Sequence, residues 1–124
     1  MDENELLKRY AAGERDFSGE NLSCTDLTGA NLSGINLSGA NLTRAYLNEA
    51  DLSEADLSRA NLEYTRFKSA KLVGANLEEA SLEHAVLKNA NLERANLLNA
   101  KLNKDLTGAT LCNTTMPDGS IANV

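Results

Sequence analysis

The chain has 124 residues, only 4% of them aromatic and none of them Trp, so a conventional globular core built around large rings is excluded for want of material. Twelve basic against 18 acidic residues leave a net charge of −6, which disfavours direct nucleic-acid binding and attachment to anionic membranes. No apolar run is long enough to span a bilayer, and the acidic start Met1-Asp2-Glu3-Asn4-Glu5 does not read as a signal peptide, so the cytoplasm is the expected compartment.

Residues 1–14 read as a short helix. Asp2 and Glu5 stand at capping-box spacing, the helix is expected to run to about Ala12, and Gly13 can end it. Leu6, Leu7, Tyr10 and Ala11 are then available to cover whatever apolar surface follows.

Residues 15–116 repeat with a period of five. From Phe17 to Leu102 every fifth residue is Leu or Phe, 18 in succession, 16 of them Leu. Two places earlier the residue is Ala in 13 of those units, and one place earlier it is Asn or Asp in 12. After Leu102 one step shortens to four, giving Leu106, then Leu111 and Met116.

Neither standard element accommodates this stride. On an α-helix, residues five apart drift around the surface; on a flat strand they alternate between faces. The pattern is satisfied if the chain turns once per unit, so that four units close a square coil of about 20 residues and coils stack at about 4.8 Å. The Leu and the small residue point inward, and the small size keeps the narrow interior from overfilling. About five coils give a rod near 25 Å long. Six glycines, including Gly29 and Gly39, fall two residues after the inward Leu, where a type II turn needs positive φ. Type II corners are therefore expected in the early coils, with other turn types where later units carry Glu, Arg or Asn.

Units such as Ala30-Asn31-Leu32-Ser33-Gly34, Ala50-Asp51-Leu52-Ser53-Glu54 and Ala90-Asn91-Leu92-Glu93-Arg94 give the sequence A-(N/D)-L-x-x over most of the chain. In this it resembles the pentapeptide-repeat family, which is abundant in cyanobacteria. The resemblance implies an all-β solenoid, specifically a right-handed quadrilateral β-helix, and supplies the handedness that the period leaves open. Some members of that family mimic DNA and bind gyrase, so the resemblance also brings in a DNA-mimicking regulator as an alternative role.

The tail, residues 117–124, carries a turn signal in Pro117-Asp118-Gly119 and no helix pattern, which leaves the C-terminal end less well covered than the start. A monomer, or a weak dimer through that end, is expected.

Residues 20 apart fall into outer columns. The most acidic face holds Asp16, Asp56, Glu78 and Glu79 against Arg59, and basic residues interrupt the other faces. Duplex DNA presents about one charge per 1.7 Å, a density that no face of so short a rod approaches. One corner differs: Arg44, Tyr64, His84 and Lys104 share a column beside Tyr46, Arg66 and Val86. Tyr and Arg are favoured interface anchors, and Arg over Tyr invites cation–π contact, so Arg44, Tyr46, Tyr64, Arg66 and His84 form a candidate protein-binding patch. The competing reading is a set of columns that only steadies the stack, with Glu63 and Glu83 flanking it.

No catalytic or metal constellation emerges. One His and two Cys do not make a usual zinc site, and Cys24 and Cys112 lie about 20 Å apart along the axis, too far for an intrachain disulfide. A Leu-filled interior leaves no cleft for paired carboxylates. The sequence therefore reads as a non-enzymatic, cofactor-free scaffold that presents a rigid surface to a protein partner.

Overall fold

The computed structural model describes residues 1–103 and 105–124. Helix α1 spans Glu3–Ala11, and the Asp2 side chain caps it by accepting the Glu5 N–H at 2.8 Å. Gly13 follows at φ 101°. Leu6 is completely buried in the solenoid core, and Met1 and Tyr10 pack against that core. The Tyr10 hydroxyl donates to the Ser33 carbonyl at 2.6 Å, and the Arg9 guanidinium lies 5.0 Å from the Phe17 ring. Leu7 and Ala11, expected to join this cover, do not: Leu7 is 36% exposed and Ala11 faces solvent. Leu6 and Tyr10 are four apart and share one helix face, and Leu7 and Ala11 lie on the next.

From Asp16 onward the chain forms parallel bridges between residues 20 apart, from Asp16↔Asn36 through Asn76↔Asn96. Regular strands are reduced to β1 (Ser81–Leu82) and β2 (Lys101–Leu102), paired in parallel, because each unit spends the rest of its length turning. The inward Leu and Phe residues from Phe17 to Leu97 are all buried, as are the alanines from Ala40 to Ala100 between them. Leu102, Leu106, Leu111 and Met116 are only partly buried, since the last coil has nothing of full breadth above it.

The unit around Leu57 shows why five residues suffice. Asp56 N–H donates to Ile35 O in the preceding coil, while Leu57 N–H and Arg59 N–H donate to Asn76 O and Glu78 O in the following one. Ala60 N–H closes the turn onto Leu57 O, and Ser58 N–H donates to the Asp56 side chain at 3.0 Å. All five N–H groups are thereby satisfied. This accounts for the Asn/Asp position: its side chain takes the one donor that no carbonyl reaches. Asn21, Asn41, Asn61, Asn76, Asn91 and Asn96 do the same.

Corner geometry departs from expectation. Every residue two places after an inward Leu or Phe from position 19 to 99 has positive φ, including Glu49, Glu54, Arg59, Glu79, Asn89 and Arg94 near 60°. The turn is closed by an N–H three residues after the Leu carbonyl, so positive φ at the third residue alone is the type II pattern. The change of turn type expected in later coils does not occur. The left-handed conformation costs a non-glycine residue about 1 kcal/mol. It persists because the same N–H is bonded to the adjacent coil, as from Glu54 to Val73 O at 2.8 Å.

The tail forms a short hairpin beside the last coil. Strand β3 (Thr114–Thr115) pairs antiparallel with β4 (Ile121–Ala122), and Thr115 also bridges Asn96. A turn over Pro117–Ser120, closed by Met116 N–H to Ser120 O at 2.7 Å, folds β4 back as one more strand on that face. Pro117 O still accepts from Asn99 N–H at 3.0 Å in the coil below, and the hairpin ends the stack.

The Asx bonds make a pH prediction. Hydroxyl donation from Ser18, Thr28 and Ser53, followed by their backbone N–H groups, lowers the pKa of Asp16, Asp26 and Asp51. A carboxylate with a lowered folded pKa contributes its stability above the unfolded value near 4, and loses it as pH falls through the folded value. The melting temperature is expected to be level above about pH 5 and to drop below about pH 4. Replacing all three by Asn, which keeps the acceptor, should flatten the acid limb; an unchanged limb in a thermal-melt series refutes the assignment.

Candidate protein-binding surface

The structure brings the five candidate residues together. Arg44, Tyr64 and His84 occupy corresponding corners of three successive coils, at φ 61°, 59° and 61°, so their side chains leave the rod in the same direction. The Arg44 guanidinium lies 4.6 Å from the Tyr64 ring centre, and Tyr64 stacks on His84 at 4.8 Å and 16°. In the neighbouring column, Tyr46↔Arg66 and Arg66↔Val86 are bridged in parallel, and the Arg66 guanidinium sits 5.4 Å from the Tyr46 ring. Lys104, assigned by its sequence to the first column, lies outside the described residues.

These groups remain open to solvent: Tyr46, Tyr64 and Val86 are each exposed by about two-fifths. Beneath them the core is sealed by Phe67 and by Thr65, whose hydroxyl donates to Leu42 O at 2.7 Å in place of the usual Ala. Column 46/66/86 is also where the Asn/Asp pattern lapses for three coils running. It is bracketed by Asp26 and Asp105, which both accept from a Thr two residues on. Over the interrupted stretch only Lys68 N–H finds a side-chain substitute, Asn48 in the adjoining coil, among the described residues. Tyr46, Arg66 and Val86 thus replace a side chain that would have satisfied the backbone.

A groove of about 750 Å³ opens beside the stacks, bounded by the five candidates together with Val86, Lys88, Asn103 and Asp105, and floored by Ala85 and Leu87. Its origin is the shortened step. Bridges above it join residues 19 apart, Asn91↔Thr110 and Asn96↔Thr115, so the coil over 82–88 returns one residue early. Asn103 fills in for the chain by donating its side-chain amide to Ala85 O at 2.6 Å. Donation from Thr107, hydroxyl first, holds the Asp105 carboxyl below its usual pKa, with a smaller contribution from Lys88. Lys88, Asn103 and Asp105 were not among the residues singled out from the sequence; the four-residue step after Leu102 was their signal.

Elsewhere the outer surface is mostly repeat chemistry. Glu54 passes over Gly74 to reach Arg94 two coils away at 3.4 Å, a pair exposed enough to contribute little. Cys24 and Cys112 are free thiols. Among the described residues no helix is long and apolar enough to cross a membrane, and no group of His, Cys, Asp and Glu is placed to hold a metal ion.

Stacked five-residue units with a Leu-lined interior define this molecule as a β-solenoid. The profile for pentapeptide repeats matches in eight copies over residues 21–59, 35–74 and 70–104, and the chain belongs to the pentapeptide-repeat family. It is similar to the pentapeptide repeat protein Rfr23 of the cyanobacterium Cyanothece 51142, at 38% identity and a TM-score of 0.70 over 76% of this chain. The chain spans 62% of that protein's length. A pentapeptide repeat protein from the Arabidopsis thaliana thylakoid lumen aligns at 26% identity and a TM-score of 0.56, over 88% of this chain and 70% of its own. No curated protein sequence matches. The fold shared with these structures is the right-handed quadrilateral β-helix.

Proposed function

We propose that the chain is a non-enzymatic scaffold: a rod of about five coils, capped by α1 at its start, that presents the surface of Arg44, Tyr46, Tyr64, Arg66 and His84 to a protein partner. One observation carries this reading. Over three coils the chain gives up its backbone-satisfying Asn/Asp residue and places exposed aromatic, cationic and aliphatic side chains in its stead, although Asn or Asp there would serve the fold better. Two free thiols accord with a reducing cytoplasmic setting. The alternative of DNA mimicry gains no support from a surface on which basic residues break every acidic face.

Affinity capture from native lysate with the intact chain and with a Tyr46→Ala/Tyr64→Ala variant tests the surface. The partner recovered by the parent is expected to be lost from the variant; retention of the same partners removes the proposal. Self-association is assigned to the C-terminal end, where Ile121 and Val124 are exposed and β4 is an edge strand. Small-angle scattering over a concentration series should show a weak dimer, and a strictly monomeric particle throughout rules that out.

A further inference from the structure

We infer that the groove takes an acidic peptide segment whose carboxylates flank an apolar side chain, an inference that rests on the same surface being a protein-binding site. Three cations, Arg44, Arg66 and Lys88, line it on a chain whose net charge is −6. Among the described residues none of the three has a carboxylate within ion-pair distance; the ion pairs found there involve Arg9 and Arg94. Glu63 and Glu83, which adjoin Tyr64 and His84 in the chain, form no ion pair with them among the described residues.

The guanidinium groups of Arg44 and Arg66 are held against ring faces at 4.6 and 5.4 Å, and among the described residues their N–H groups make no hydrogen bond within the protein. Stacking fixes the plane and leaves the edge free, and that edge is the donor fork that matches a carboxylate. Asp105, the carboxylate lining the groove, accepts from Thr107 on one oxygen and forms no ion pair with either arginine among the described residues. Between the charged edges lies apolar surface: Val86 and the rings of Tyr46 and Tyr64, each exposed by about two-fifths. A purely ionic ligand would leave that surface wet, and a purely apolar one would strand the cations. A peptide with acidic residues on either side of a leucine or an aromatic residue meets both requirements. Nucleic acid fits less well, since the chain as a whole carries a net charge of −6 and would repel an extended polyanion.

The probe is a fluorescein-labelled peptide alternating glutamate and leucine, compared with its glutamine-for-glutamate counterpart and with a labelled single-stranded oligonucleotide. Binding is read by anisotropy and by ring resonances of Tyr46, Tyr64 and His84. The glutamate peptide is expected to bind, to shift all three rings and to weaken with added salt. An Arg44→Gln/Arg66→Gln variant should lose about tenfold or more in affinity, while Lys71→Gln, on another face, should not change it. Matching amide spectra establish that the variants are folded. Equal binding of the glutamine peptide, preferred binding of the oligonucleotide, or unmoved rings overturns the inference. A captured partner that is lost on tyrosine replacement but kept by the arginine variant leaves the binding surface standing and removes only its acidic ligand.

Discussion

Leu57→Asp is expected to abolish the cooperative thermal transition of the central coils. Leu57 is fully buried, with Leu37 and Leu77 as its counterparts in the coils on either side. Burying a Leu contributes roughly 2 kcal/mol, and the variant loses that contribution while also placing a carboxylate where no donor is free to meet it. Every N–H of the unit is already engaged, so the charge has no backbone partner to recruit. The chain must either expose the residue by opening a corner or protonate it, and both disrupt the stack above and below. Circular dichroism with differential scanning calorimetry provides the measurement. A transition within a few degrees of the parent would mean that Leu57 is not part of a continuous interior.

Arg59→Pro should be nearly as damaging, for a reason unconnected with the core. Arg59 is exposed, yet its φ is 58° and its N–H bonds Glu78 O at 2.9 Å. Proline fixes φ near −65° and has no N–H, so one corner and one rung are lost together, at a cost of about 3 kcal/mol or more. Arg59→Gly separates the two contributions. It relieves about 1 kcal/mol of left-handed strain but enlarges the freedom of the unfolded chain, and the net change is expected to stay within about 1 kcal/mol. If chemical denaturation finds the proline and glycine variants equally stable, corner conformation does not constrain the fold.

The inside of the rod was legible in the sequence because a stride of five has few geometric solutions. Repetition then identified Leu57 and its neighbours as interior without any residue being distinctive by itself. The Asn/Asp position was equally visible as a pattern, but its purpose was not, since the donor it accepts exists only after the turn has formed. The corners misled in another way. Glycine preference reports where positive φ is cheapest and does not mark every place it is enforced. Neighbouring coils hold Glu54 or Arg94 in the same shape through long-range bonds that a local reading does not contain. Leu6 and Leu7 adjoin in sequence, and only docking of the helix separates the buried one from the exposed one. The candidate surface was readable as columns, whereas its groove depends on one omitted residue near Lys104 and on the Asn103 amide that makes good the omission.

Glu, Arg, Tyr, Ser, His, Asn, Cys and Gly all occupy corner positions of one shape. The scaffold is therefore indifferent to what its edges display, and architecture and message are written in separate residues. Such a molecule can drift or be re-engineered along a whole edge, one side chain at a time, without renegotiating its interior. Relatives with the same cross-section are free to have diverged in whom they meet.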